Sequence, residues 1–312
     1  MPTESERQRD TRIRLTVFAW LEEQTRIHGD VLPWSLLAHG LFIDGERVPL
    51  VSQQGIFKPR VLPELPLSIR TSAEGPYHDE FGRDDDTLLY DYRGTDPMHP
   101  DNVRLRKAMA EQAPLVYFFG FVPGRYSAVW PVFIVNDDLG ALKFTVRADQ
   151  PVVGLGGLKS SLTEPGRDNL ETDYRRRYTT TQVRQRLHQQ GFRERVLAAY
   201  QQQCALCRLR HPELLEAAHI IPDTEPGGEP IVPNGLSLCR LHHGAFDKYL
   251  LAVRPDYTVE VRRSILDETD GPMLLHGLQG VHNQRIWTPR SAEQKPDRDL
   301  LERRYERFLK TG

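Results

Sequence analysis

All three cysteines of the chain, Cys204, Cys207 and Cys239, fall in one stretch with His219, His242, His243 and Asp247. Cys204-Ala-Leu-Cys207 is a C-x-x-C, and Cys239-Arg-Leu-His242 repeats the spacing with histidine in the last place. Each pair can bite one ion from a tight turn, and thiolate plus imidazole ligation favours tetrahedral zinc. The competing reading is buried cysteines beside an unrelated histidine. Two pairs with the same spacing weigh against it, and no sulfur remains for a disulfide framework.

Other polar groups lie between and just after these four, and a structural zinc does not need them. His219 ends a strand-like run, Leu214-Leu-Glu-Ala-Ala, and Asn234 precedes a short apolar run. His243 and Asp247 are four apart on an expected helix, so they project from one face. A pair of that kind can ligate a second, harder ion such as Mg²⁺. Singly, each histidine reads more often as a surface residue of a zinc module. Together, in the order His, Asn, His around a metal clip, they read as a reacting set.

From Cys204 to Leu251 the chain resembles the HNH nuclease family, of the zinc-stabilised ββα-metal type. Ala217-Ala-His-Ile220, Asn234-Gly-Leu236 and His243-x-x-Phe-Asp247 carry the resemblance, in that order. It implies that His219 is the general base activating water. It implies that Asn234 orients His219, and that His243 binds a catalytic Mg²⁺ or Mn²⁺ with Asp247 beside it. Cys204, Cys207, Cys239 and His242 would then hold a structural Zn²⁺. One position departs from the family: many relatives place a metal ligand just before the base histidine, where this chain has Ala218. Glu216 lies on the same strand face as Ala218 but about 6.6 Å further along, which ranks it below His243 and Asp247 as a ligand.

These residues need elements to hold them. At 312 residues the chain is long enough for two domains. A net charge of −2 announces no polyanion partner, so any nucleic-acid surface must be a local patch. There is no apolar run long enough for a membrane helix and no signal-peptide pattern at the N-terminus, which leaves the cytoplasm as the expected location. The expected class is α+β. An N-terminal curved-sheet domain, 1–152, precedes a Gly- and Pro-rich linker, 153–173. Basic helices and the nuclease domain follow at 174–312. Residues 1–10 are expected to fray, a helix to run from Thr11 to His28, and Gly191 to break the helical stretch Tyr174–Tyr200 in two. A final amphipathic helix is expected over Asp297–Leu309.

Arg175, Arg176 and Arg177 are candidates for DNA phosphate contacts, against a solvated helix face. Tyr77-His-Asp79-Glu, Tyr90-Asp-Tyr92-Arg-Gly94, Asn102-x-x-Leu105 and the following Val-Tyr-Phe strand resemble the SRA domain, a PUA-like curved sheet. That resemblance implies a pocket for a flipped, modified cytosine lined by Tyr77, Asp79 and Tyr92. Two aromatic faces would stack the base, and the carboxylate would accept from its amino group. The joint expectation is a modification-dependent restriction endonuclease acting on double-stranded DNA that carries 5-methylcytosine or a relative. One site per chain cuts one strand, so a homodimer is expected for a double-strand break. Two alternatives stay open: an HNH nuclease whose reader takes an unmodified sequence, and a zinc module that binds DNA without cutting it.

Overall fold

A computed structural model describes residues 4–72, 87–149, 169–269 and 271–311. The chain divides into two compact units, Met1–Leu187 and His188–Gly312, and both mix helix and strand.

The first unit opens with α1 (Glu4–His28), β1 (Val31–Pro33), α2 (Trp34–His39) and the hairpin β2 (Leu41–Ile43) and β3 (Glu46–Val48). Short strands β4 (Ile56–Phe57), β5 (Ser68–Thr71) and β6 (Leu88–Asp91) follow, then α3 (Pro100–Ala110) and the long strands β7 (Leu115–Val122), β8 (Arg125–Asp138) and β9 (Lys143–Ala148). Seven strands make one curled sheet in the order β4-β5-β7-β8-β9-β6, with β1 also on β8. Only β5 and β7 pair in parallel; the other contacts are antiparallel. β8 serves β1 and β7 with its first half and β9 with its second, and irregular register on both sides bends the sheet. One face packs Tyr92, Leu105, Phe144 and Val146, and the other packs α1 through Val17 and Leu21.

The expected α+β character holds in this unit, with two corrections of detail. α1 begins at Glu4, so residues 4–10 are helical rather than frayed. The physical reason is Arg14, buried on α1, which donates to the carbonyls of Pro66 at 2.9 Å and Pro114 at 2.8 Å and pairs with Asp10 one turn earlier. The second correction is Gly191. Helix α4 (Asn169–Ala199) runs through it unbroken. A glycine in a helix interior costs about 1 kcal/mol, which the burial of Phe192, Val196 and Leu197 on the next turn outweighs.

Three expected DNA-contacting positions also belong here. Arg176 is buried, pairs with Asp149 at 3.0 Å and lies 3.9 Å over the Phe133 ring. Its guanidinium braces α4 on the sheet and does not face solvent, so it is withdrawn as a phosphate contact. Arg175 and Arg177 are on α4, with side chains outside those described. Tyr77 and Asp79 lie outside the described residues. Tyr92 is buried, stacked on Phe144 with ring centroids 4.6 Å apart, and its hydroxyl bonds Asp137 and Arg106. Asn102 accepts from Arg93 N and donates to the carbonyls of Arg93 and Asp96, fixing the turn that follows Tyr92.

The second unit contains the C-terminal part of α4, the hairpin β10 (Leu215–His219) and β11 (Gly235–Cys239), and α5 (Arg240–Asp247) directly after it. β12 (Leu251–Val253) and β13 (Val259–Val261) form a second hairpin; α6 (Arg263–Leu266), α7 (Pro272–Gly277) and α8 (Arg298–Thr311) complete it. A single core of Phe192, Val196, Tyr200, Leu236, Phe246 and Leu301, among others, binds α4, both hairpins, α5 and α8 together. Among the described residues no helix is long and apolar enough to cross a membrane.

Candidate nuclease site and metal clip

The β10–β11 hairpin and α5 are a β-β-α unit that carries His219, Cys239, His242, His243 and Asp247; Asn234 immediately precedes β11, and Cys204 and Cys207 lie in the turns between α4 and β10. Antiparallel pairing sets His219 opposite Gly235 and Leu215 opposite Cys239. Cys239 caps the N-terminus of α5 with extended backbone. His242 and His243 then fall about 100° apart around the helix, so adjacent histidines face different surroundings: His242 is buried and His243 half-buried.

His242 turns to the sulfurs. Its Nδ1 is 3.4 Å from Cys204 Sγ and 3.2 Å from Cys239 Sγ, and Cys207 Sγ is 3.9 Å from Cys239 Sγ. The four ligand atoms lie within 4.8 Å of one another. Zinc–sulfur bonds of about 2.3 Å at tetrahedral angles put sulfurs about 3.8 Å apart, so the set fits one tetrahedral ion. His242 Nε2 meets Gly277 O at 2.7 Å, which fixes the ring with Nδ1 as the metal-facing nitrogen. Hydrogen bonds from Cys207 and Cys239, with His242 beside them, hold the Cys204 thiol well below its ordinary range, toward the thiolate a metal requires. The turn is anchored by Cys204 N to Leu209 O, and Ala205 N bonds Ser237 O of β11.

His243 turns the other way. Its Nδ1 lies 2.5 Å from Glu216 Oε2 and its Nε2 3.2 Å from Asp247 Oδ2. The structure therefore brings His243 and Asp247 together as the helical spacing predicted. It also brings in Glu216, which strand distance alone had ranked low: its side chain crosses from β10 to α5 instead of lying along the strand.

His219, at the end of β10, stacks on Phe192 of α4 with centroids 4.0 Å apart and planes 18° from parallel. Its Nε2 is enclosed and has no hydrogen-bond partner among the described residues. Burial lowers the proton affinity of the ring; Asp223 opposes this and His243 adds to it. A neutral imidazole is what a general base must be before the reaction.

Asn234 is fully buried but does not bond the His219 ring. Its side chain accepts from Ile221 N at 2.9 Å and donates to the carbonyls of Ile221 at 2.9 Å and Glu229 at 3.1 Å, while its own carbonyl accepts from Ile220 N. It fixes the backbone leaving His219, and through that backbone the histidine.

One residue was missed. Arg304, buried on α8, donates to Ile220 O at 3.0 Å and Phe246 O at 2.9 Å, covers the Phe246 ring at 3.8 Å and lies 3.6 Å from Asp247 Oδ1. The signal was an arginine on the apolar stripe of the last helix, with Leu301 and Phe308 three and four residues either side.

Residues 204–254 match the HNH endonuclease family. The protein carries an HNH endonuclease domain. The chain is also similar to two solved structures. One is a modification-dependent TagI restriction endonuclease, at 15% identity over 78% of this chain and 82% of that one, with a TM-score of 0.29. The other is the type IV phosphorothioation-dependent restriction endonuclease ScoMcrA, at 16% identity over 78% of this chain and 50% of that one, with a TM-score of 0.22. No curated protein matches the chain. The nuclease domain is thus an endonuclease core on its own residues, with an extra helix, α8, packed against it from beyond the matched segment.

Proposed function

We propose that the protein is a modification-dependent DNA endonuclease whose N-terminal unit reads a 5-methylcytosine-type base and whose HNH domain hydrolyses a nearby phosphodiester bond. The observation that carries the hydrolytic half is the placement of His219 and the His243–Asp247 pair on one hairpin-and-helix unit held by four metal-ligand side chains. A DNA-binding zinc module has no use for a neutral, enclosed histidine beside a His–carboxylate pair.

His219 accepts the proton of the attacking water. Its Nε2 is sealed off, so Nδ1 is the accepting atom. The stack on Phe192 and the Asn234 bonds to Ile220 and Ile221 hold the ring in place while the proton moves. The water oxygen bonds to phosphorus, one P–O ester bond breaks, and the leaving oxygen takes a proton from solvent. His243 and Asp247 would hold a Mg²⁺ or Mn²⁺ ion, which would supply charge stabilisation for the phosphate and the leaving oxygen. Cys204, Cys207, Cys239 and His242 would hold Zn²⁺, which would fold the domain.

The reader half rests on the SRA-like residue pattern. Tyr77 supplies the stacking face and Asp79 the acceptor for the cytosine amino group. Tyr92, which stacks on Phe144, is the second aromatic that the SRA-like pattern assigns to the pocket. Two chains acting together make a double-strand break. The experiment is cleavage of one plasmid, with and without cytosine methylation, by the wild type and His219→Ala in Mg²⁺ or Mn²⁺. The wild type is expected to cut only the methylated copy and the variant neither, with zinc and DNA binding retained. Equal cutting of both plasmids would sink the reader assignment; cutting by His219→Ala would remove His219 as the base.

A further inference from the structure

His243 and Asp247 each have an inner atom and an outer atom, and both outer atoms are already engaged. Nδ1 of His243 is 2.5 Å from Glu216 Oε2, and Oδ1 of Asp247 is 3.6 Å from Arg304 Nη2. The inner atoms, His243 Nε2 and Asp247 Oδ2, face each other at 3.2 Å. We infer that Glu216 and Arg304 are positioning residues that aim this inner pair at a divalent cation, and that Glu216 is not itself a ligand. The inference rests on the nuclease reading of the same site.

The first argument is the tautomer. A carboxylate can only accept, so Glu216 takes the Nδ1–H and leaves a lone pair on Nε2. A lone pair facing a carboxylate oxygen is unfavourable until a cation, a proton or a metal ion, lies between them, and a metal ion there replaces the proton while Glu216 keeps the Nδ1–H. Metal-bound histidines are commonly fixed in this way, by a carboxylate on the nitrogen remote from the ion.

The second argument is distance. Two neighbouring ligands of an octahedral ion at about 2.1 Å are about 3.0 Å apart, close to the 3.2 Å between Nε2 and Oδ2. The pair stands at chelating separation without any rearrangement.

The third argument is side. Glu216 meets the Nδ1 edge of the His243 ring and Asp247 the Nε2 edge, so the two carboxylates lie on opposite sides of the imidazole. The base and the ion must act on the same phosphate, so the ion belongs with Asp247 and Nε2, and Glu216 lies beyond the imidazole. Arg304 balances it on the other ligand. Its guanidinium is held by the Ile220 and Phe246 carbonyls and cannot follow Asp247 if that side chain swings away. The vacancy at Ala218 is therefore left to water and substrate oxygens, and Glu216 does not fill it.

The experiment uses full-length, zinc-loaded protein and three readouts: long-range ¹H–¹⁵N NMR of the histidine rings, Mn²⁺ affinity by calorimetry, and plasmid nicking. In the wild type, His243 should be the Nδ1–H tautomer, and Mn²⁺ should perturb its Nε2 signal. Glu216→Ala should mix the tautomers and weaken Mn²⁺ binding and nicking by about 10–100-fold, with zinc content unchanged. Glu216→Gln, whose side-chain carbonyl still accepts from Nδ1, should recover most of both. Arg304→Lys, chosen because alanine there could unfold α8, should weaken Mn²⁺ binding while leaving the His243 tautomer intact. If Glu216→Gln binds Mn²⁺ as poorly as Glu216→Ala, the charge is what matters and Glu216 is a ligand. If Glu216→Ala changes neither tautomer nor affinity, the inference fails. A wild type that shows the tautomer and binds Mn²⁺ yet cuts no DNA supports the inference and overturns the nuclease reading instead.

Discussion

Gly235→Ala adds one methyl group directly opposite His219, the proposed general base. Gly235 pairs with His219 across the hairpin, and its φ of −129° is ordinary extended backbone. By backbone alone the change should stabilise, by about 0.4–1 kcal/mol, through loss of freedom in the unfolded chain. Packing says the opposite. A Cβ there would sit 2.5 Å from Val196 Cγ2 and 3.0 Å and 3.1 Å from two atoms of the Phe192 ring. Carbon atoms rest about 3.5–4.0 Å apart, so something must give by about 1 Å. Val196 and Phe192 are both buried in the core, and Phe192 is the ring on which His219 stacks. Overpacking of this kind costs about 1–3 kcal/mol, which exceeds the entropic gain. A hairpin pushed off Val196 by that distance carries His219 with it, since the two residues are paired, and a 1 Å displacement at a reacting group costs about 10²-fold in rate. Gly235→Ala should therefore melt several degrees lower and nick supercoiled plasmid about a hundredfold more slowly at saturating Mg²⁺. Adding Val196→Ala, which removes the closest contact, should restore part of both. A single variant as stable and as fast as the wild type would refute the claim that glycine is there to let α4 approach the hairpin.

Cys239→Ser should abolish metal binding by the four-residue clip. A structural zinc contributes about 10–16 kcal/mol of apparent folding free energy, as much as a whole domain's net stability, so elemental analysis and circular dichroism should show metal-free, unfolded C-terminal sequence; a folded variant would remove the clip's structural role. The rate of DNA cleavage should hold as pH falls to the ordinary histidine range and drop only below it, because burial keeps His219 neutral; a rate that halves at or above about pH 6.5 would contradict this. The same shift has a stability consequence. The unfolded chain takes the proton first, so His219 should destabilise the fold as pH falls from about 6.5 until the folded ring also protonates. Arg14→Met should cost about 3–5 kcal/mol in denaturant unfolding by leaving Asp10 and two buried carbonyls without their partner; a change below 1 kcal/mol would show that the carbonyls find other partners.

The metal clip was legible because its signal is local: two ligand pairs at the same short spacing, each folding into one turn, with Cys239 and His242 on the first turn of α5. The His243–Asp247 pair was legible for the same reason, since helical spacing alone puts both on one face. Residues 4–10 and Gly191 were misread because local propensity lost to burial, of Arg14 in one case and of Phe192 and Val196 in the other. The arginine run at 175–177 shows the limit of charge as a signal. Its middle member spends its charge on Asp149 inside the first unit.

The amino-acid sequence by itself determined the chemistry: which groups could hold metal, which histidine stood apart from them, and the order that identified an endonuclease core. Tertiary structure decided which atom of each group is free. Only folding brings Glu216 across from β10 to His243 Nδ1, lays Phe192 on His219, and carries Arg304 from α8 to Asp247. The physical reason is range. Ligand spacing and helical periodicity act over a few residues, whereas the contacts that aim a side chain join residues distant in the chain and exist only once the core has closed.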